Sequence, residues 1–229
     1  MFRITKYVLP GMAALAAMQA AAGTLTFTDQ AAFFAALPGT PSTLDFEAVP
    51  VHTAVPSGAT ISGISFDYSL GGLTMGIVDD FDTTSGRQSL GQNDPGNFDQ
   101  FVAGDGFELD LLAPAAGVGL YFITTADPVF AGDIQLVTPA GTALNAGTPN
   151  LTLPDGGTAY FVGLISDTPF SQAGVQFDPG AVGAFLFNVD DITIADPAAS
   201  AAPEPSGWLL CGGALALLAG GLRRTNPPE

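Results

Sequence analysis

One cysteine, one histidine and one tryptophan occur in 229 residues, and Lys and Arg together number five. Each scarcity excludes something. Cys211 has no partner cysteine, so no intramolecular disulfide forms, and an exported core would have to stand without one. It lies in an apolar tail and reads as a small apolar residue. His52, with no cysteine in the body of the chain, leaves zinc chemistry and histidine-based triads without partners. It stands between Val51 and Thr53 in a proline-flanked stretch and reads as a solvent-exposed loop residue. The basic residues are Arg3, Lys6, Arg87, Arg223 and Arg224, four of them near the ends. Between Gly23 and Ala202 only Arg87 is basic, against 20 Asp and Glu (22 in all, less Glu204 and Glu229). Such a body repels phosphate backbones and anionic lipid, which excludes nucleic acid as a partner. It attracts divalent cations where carboxylates converge. No glycine-rich loop ends in Gly-Lys-Ser/Thr, so no phosphate cradle of that kind is present.

What is abundant points to one architecture. The chain holds 29 Gly, 18 Pro and 17 Phe, and 47% of its residues are hydrophobic, too many for a disordered chain. Turn formers between short apolar runs predict an all-β domain. Without its two ends the chain keeps roughly 175–180 residues, enough for one domain with a sizeable core.

The ends read as addresses. In MFRITKYVLPGMAALAAMQAAAG, Arg3 and Lys6 precede the apolar run Tyr7–Ala17, and Ala20-Ala21-Ala22 supply the small side chains that a signal peptidase needs. Residues 1–22 are therefore expected to be a secretory signal peptide, cut after Ala22 or Ala20. At the other end, Trp208–Leu222 carries no charge over 15 residues. As a helix it would reach roughly 22 Å, short of a hydrocarbon core of about 30 Å. Arg223 and Arg224 then mark a cytoplasmic end. Pro203-Glu204-Pro205 holds the chain extended just before it. Pro-Glu-Pro, an apolar segment with Trp208 and an arginine cluster, in that order, resembles the PEP-CTERM sorting signal of Gram-negative bacteria. The resemblance implies that residues 203–225 form a short transmembrane helix in the inner membrane, removed by an exosortase. It also implies export to the cell surface or an exopolysaccharide-rich matrix, as in a biofilm. Residues 197–202 would be the linker to that signal.

Within 23–196, Leu25 and Phe27 alternate with threonines as a strand, and Thr28 or Asp29 caps a helix over Gln30–Leu37. Strands are predicted at Ser42–Val49, Thr60–Tyr68, Leu73–Val78, Gly106–Leu112, Gly117–Thr124, Asp133–Thr138, Ala159–Ile165, Ala173–Phe177 and Ala184–Ile194. Asp79–Gln100 reads as a long polar loop. Val118–Ile123 is almost continuously apolar, as expected of a central strand covered on both faces. The spacing predicts a jelly-roll-like β-sandwich with one short N-terminal helix. FTDQAAFFAAL, LDFEAVP, GISFDY, GVGLYF, AYFVGLISD and FNVDDITIA, in that order, resemble a domain that recurs in exported PEP-CTERM proteins. That resemblance implies a β-sandwich and no established activity.

Three sets of residues invite a functional reading. Asp45-Phe46-Glu47 comes early and Asp190-Asp191 late, and first and last strands of jelly rolls lie side by side. The pattern is similar to the structural calcium site of several carbohydrate-binding modules, which would make Glu47, Asp190 and Asp191 candidate Ca²⁺ ligands. Strand alternation does not decide between the two aspartates. Asp79-Asp80-Phe81-Asp82 forms a second acidic cluster, without EF-hand spacing. Tyr68, Phe81 and Phe98 are candidates for stacking on sugar rings. Asn150-Leu151-Thr152 matches the N-glycosylation pattern, here read as chance. No catalytic constellation emerges. The expectation is a non-enzymatic structural or interaction module with glycan binding as its mode. The alternatives are a polysaccharide-acting hydrolase and a calcium-stiffened matrix protein without sugar affinity.

Overall fold

A computed structural model describes residues 23–94, 99–125, 129–177 and 185–198. The expected signal peptide, Phe98, residues 199–202 of the linker and the sorting signal with Pro203, Glu204, Pro205, Arg223 and Arg224 lie outside them. Among the described residues no helix is long and apolar enough to cross a membrane.

The chain opens with strand β1 (Thr24–Phe27) and helix α1 (Gln30–Ala36). Asp29 caps the helix, its Oδ1 accepting from Ala32 N at 2.7 Å. Six short strands follow: β2 (Pro41–Leu44), β3 (Ala54–Val55), β4 (Ala59–Ile61), β5 (Ile64–Tyr68), β6 (Thr74–Val78) and β7 (Ser89–Asn93). After β8 (Phe101–Val102) comes the long β9 (Phe107–Thr124). Then come β10 (Ile134–Thr138), β11 (Gly141–Leu144), β12 (Leu151–Thr152), the long β13 (Thr158–Phe177) and β14 (Leu186–Ala195).

The protein is an all-β sandwich, and β9 and β13 belong to both of its layers. Their outer halves, Phe107–Leu111 and Ala173–Phe177, lie in one layer, flanked by β5 and β4 on one side and β10 and β11 on the other. Their remaining halves form the centre of the second layer, with β1 and β12 along β13 and β14 along β9. Beyond β14 lie β2, β7 and β8, and β7 continues to β6 and β3. The register of β13 on β9 shifts between Ile165 and Gln172, where the pair turns from one layer to the other.

Alternation divides the side chains between two cores. Val118, Leu120 and Phe122 on β9, with Tyr160, Val162 and Leu164 on β13, enter the main core between the layers. Tyr121, Ala159, Phe161 and Ile165 point the other way, into a smaller cluster closed by Phe33 of α1. Double coverage explains why Val118–Ile123 is apolar at nearly every position.

Several expected boundaries move. Gly106–Leu112 and Gly117–Thr124 are one bent strand, as are Ala159–Ile165 and Ala173–Phe177. Thr60–Tyr68 is instead the β4–β5 hairpin. Ser62 (φ 48°) and Gly63 (φ 85°) form a two-residue turn with positive φ at both positions, which explains the imperfect period there. Ser42–Val49 stops as a strand at Leu44, because Phe46 turns to φ 60° and buries its ring completely. The expected loop Asp79–Gln100 contains β7, whose sequence SLGQN has a single large apolar residue and so shows no strand pattern. The short strands β3, β8, β11 and β12 carry too few residues to show any period.

Candidate functional site

β2 and β14 pair antiparallel, Leu44 opposite Ile192, so the early and late acidic residues approach each other. Between them lies the segment Thr83–Gln88, gripped from both sides. On one side Glu47 Oε1 accepts from Arg87 N and Gln88 N, both at 2.6 Å. Those two backbone bonds, led by the one from Arg87, hold the Glu47 carboxyl below the ordinary glutamate range. Gly86 (φ 62°) lies over this carboxyl so closely that a Cβ would fall inside it.

On the other side stand Asp190 and Asp191. Strand neighbours ordinarily point to opposite faces, but here the ladder shifts between Asp190 and Thr193, and Asp191 adopts φ 51°. The bulge turns both carboxylates onto the same loop. Asp190 Oδ2 accepts from Thr84 N (3.0 Å), Thr84 Oγ1 (2.7 Å) and Ser85 N (3.1 Å). Asp191 reaches Thr84 Oγ1 through Oδ2 at 2.9 Å and Ser85 Oγ through Oδ1 at 2.7 Å. Asp190 Oδ1 accepts from Asp191 N. The Thr84 hydroxyl has one proton and faces two carboxylates. Asp190 is fully buried and Asp191 is 7% exposed. Burial, with the Asp191 charge beside it, pushes the Asp190 carboxyl up to about 7.

The donor chemistry suits a hard cation. The side-chain polar atoms at the aspartate pair are all oxygens, one hydroxyl is shared by two carboxylates, and Gln88 Oε1, on the Glu47 side of the same segment, is buried without a hydrogen-bond partner. Among the described residues, however, no group of three or more His, Cys, Asp or Glu is arranged to hold a metal. Glu47 meets backbone N–H groups across the loop from the aspartates.

The second acidic cluster is divided. Asp80 Oδ2 accepts from Gln100 Nε2 at 3.2 Å, and burial, then Asp99, raises its carboxyl above the ordinary range. Asp82 exchanges two backbone bonds with Asp155 instead: Asp82 N donates to Asp155 Oδ2 and Asp155 N to Asp82 Oδ2. Tyr68 serves the fold, its hydroxyl donating to Val55 O (2.6 Å) and accepting from Met75 N (3.0 Å). Phe81 is half-buried in the bend after β6. His52 is exposed, as its loop context predicted. Asn150 is a brace: its Nδ2 donates to Thr28 O (2.7 Å) and its Oδ1 accepts from Phe161 N (2.6 Å).

A second polar surface lies away from this loop. On the outer face of the β5–β9–β13–β10 layer, cross-strand register sets Asp67 beside Glu108, Glu108 beside Gly174, and Asp110 between Ser65 and Gln172. Gln176 stands beside Gln135. Gln172 Nε2 donates to Asp110 Oδ1 at 2.8 Å. Two adjoining depressions of about 390 and 280 Å³ share Glu108 and Gln176 as walls, and Gly174 contributes to the second. The strict alternation of Phe107-Glu108-Leu109-Asp110-Leu111 was the available signal: its apolar members enter the core, and its polar members stand on this outer face, Glu108 in the wall of both depressions.

No protein-family profile matches this chain, and no curated protein matches it. Among solved structures it is similar to the catalytic domain of a GH87 alpha-1,3-glucanase in complex with tetrasaccharides, at TM-score 0.34 and 14% identity over 74% of this chain. It spans 31% of that glucanase chain. A family 29 carbohydrate-binding module is similar at TM-score 0.31 and 13% identity, with 69% of this chain and 92% of the module covered. The glucanase domain in complex with nigerose gives TM-score 0.27 and 16% identity, over 80% of this chain and 30% of that one.

Proposed function

We propose that this protein is a non-enzymatic, exported interaction module that binds polysaccharide through the groove around Glu108 and Gly174. One observation carries the reading. The outer sheet face sets Asp67, Glu108, Asp110, Gln135, Gln172 and Gln176 side by side, with Gly174 keeping the centre low. Planar carboxylate and carboxamide groups meet neighbouring sugar hydroxyls with two hydrogen bonds at a time, and carboxylates make the stronger ones. The sheet fixes the backbone that carries them, so the ordering cost on binding is confined to the side chains. In this reading the sorting signal delivers the protein to the inner membrane, exosortase removes it, and the body acts at the cell surface or in the matrix. The Asp190–Asp191 pair and Glu47 pin the Thr83–Gln88 loop, and a calcium ion at the aspartate pair would stiffen that anchor.

The test is retention of the secreted protein on exopolysaccharide of the producing strain, with groove variants. Gly174→Tyr fills the groove where a Cβ has only ordinary contacts, the nearest to Gln176 Nε2 at 3.5 Å. Glu108→Ala removes the central carboxylate. Both should abolish retention while thermal unfolding stays cooperative. Retention unchanged in both would remove the groove from the reading. Release of reducing ends by the wild type, lost in Glu108→Gln, would replace binding with hydrolysis.

A further inference from the structure

The strand that opens the fold begins at an unusual contact. Thr24 pairs with Ser166, and the ladder continues one step beyond, with Asp167 N donating to Gly23 O at 3.1 Å. The return bond does not run to a backbone carbonyl. Gly23 N donates instead to the side chain, Asp167 Oδ2, at 3.0 Å. The Asp167 backbone is fixed by the ladder while its carboxylate turns back onto the nitrogen of Gly23. An amide N–H satisfies that carboxylate only as a neutral donor. A free α-ammonium would satisfy it with a full opposite charge.

In the sequence Ala20-Ala21-Ala22 stands directly before this nitrogen. We propose that the mature protein begins at Gly23 and that Asp167 is the receptor for its α-ammonium. The proposal rests on the export reading. The peptide bond from Ala22 to Gly23 breaks, water supplies the oxygen of the new Ala22 carboxylate, and the released amine is protonated. A cut after Ala20 would leave Gly23 N a neutral amide and Asp167 without a cation. The charge pattern makes the pair distinctive. Lys6 is the only lysine in the chain, so the α-amine is the only primary amine left after the cut. Within 23–202 it would share its positive charge only with Arg87, against 20 acidic residues. Both partners are exposed, so the pair adds little to global stability and is screened by salt. Its effect is local: it holds the first residue of β1 against β13.

The test uses the full chain, expressed in an export-competent Gram-negative host and recovered after secretion. Intact mass identifies the first residue. An amine-reactive acylating reagent near neutral pH then reads the free-amine fraction at a single site, because no lysine competes. Asp167→Asn should be labelled about threefold faster than the wild type at low salt, since the carboxylate favours the protonated amine. Asp79→Asn, which removes the same charge elsewhere, should label like the wild type, and high salt should close the gap. A first residue of Ala21, or equal rates for wild type and Asp167→Asn, overturns the proposal and leaves export standing. A mass that still includes residues 1–22 overturns the export reading itself.

Discussion

Gly119 and Gly163 stand directly opposite each other on β9 and β13, and the ring of Phe33 fills the space that both leave. A Cβ on Gly163 would lie 2.8 Å from Phe33 Cδ2, and one on Gly119 would lie 2.7 Å from Phe161 Cζ and 3.1 Å from the Phe33 ring. Phe33 in turn packs on Phe161, ring centroids 5.3 Å apart. The short helix is thus keyed to the sheet by two glycines whose absent side chains form its socket.

Gly119→Ala and Gly163→Ala should each destabilise by overpacking, on the order of 1–3 kcal/mol. Phe33→Ala should cost about 3–5 kcal/mol by cavity formation. In the Phe33→Ala background the Gly163→Ala penalty should shrink, because one of its two clash partners is gone and the other, the Phe161 ring at 2.9 Å, gains room to shift. Denaturant unfolding of the four proteins of that cycle checks this. Additive losses would mean that the ring and the glycine are not coupled.

This keyed helix was half legible in the sequence. The helix over Gln30–Leu37 and its cap were expected, but not which of two adjacent rings enters the sheet: Phe34 is 38% exposed and only Phe33 is fully buried. Seven residues make two turns, and one ring fits the socket. Strand identity was legible wherever alternation or a long apolar run existed, as in β9 and β13. Their bends were not: along β9 the core-facing set passes from Phe107, Leu109 and Leu111 to Val118, Leu120 and Phe122, and such a change of phase in one strand reads in the sequence as two strands. The convergence of Asp190 and Asp191 was hidden for the same reason: a bulge with a left-handed Asp191 overrides alternation, and no residue pattern announces it. The partners of that pair, Thr84 and Ser85, lie more than 100 positions away in a stretch that read as loop.

The loop anchor predicts an unusual pH dependence with two opposing arms. The folded Asp190 carboxyl is raised to about 7 from an unfolded value of 3.8. The folded state then binds the extra proton, so stability falls as pH rises from about 4 to about 7. Glu47 is shifted the other way, from 4.5 downward, so its contribution is present above that value and fades as pH falls below it. Thermal unfolding in chelating buffer should therefore show an optimum near pH 4–5. Asp191→Asn, which removes the neighbouring charge but leaves Asp190 buried, should make the upper arm shallower, and Glu47→Gln should flatten the lower one. Stability that rises from pH 5 to 8 in chelator would contradict the account of Asp190.

The same measurement at pH 8 tests the proposed ion. Calcium should raise the unfolding midpoint of the wild type and have no effect on Asp191→Asn. An unchanged midpoint in calcium and in chelator would remove calcium from the proposal and leave the loop held by hydrogen bonds alone.

The β4–β5 hairpin offers a local check. Ser62 holds φ 48°, a region that asparagine tolerates better than serine, and Gly63 holds φ 85°. Ser62→Asn should stabilise slightly, by a few tenths of a kcal/mol, and Gly63→Ala should cost on the order of 1–2 kcal/mol. Denaturant midpoints at constant m-value read both. A neutral Gly63→Ala would contradict the turn.

The most direct measurement is retention of the secreted wild-type protein and of Gly174→Tyr on immobilised exopolysaccharide, side by side, in calcium and then in chelator. The account predicts that the wild type is retained and Gly174→Tyr passes through with an unchanged unfolding midpoint. Wild type and variant eluting together would contradict glycan binding at this sheet face.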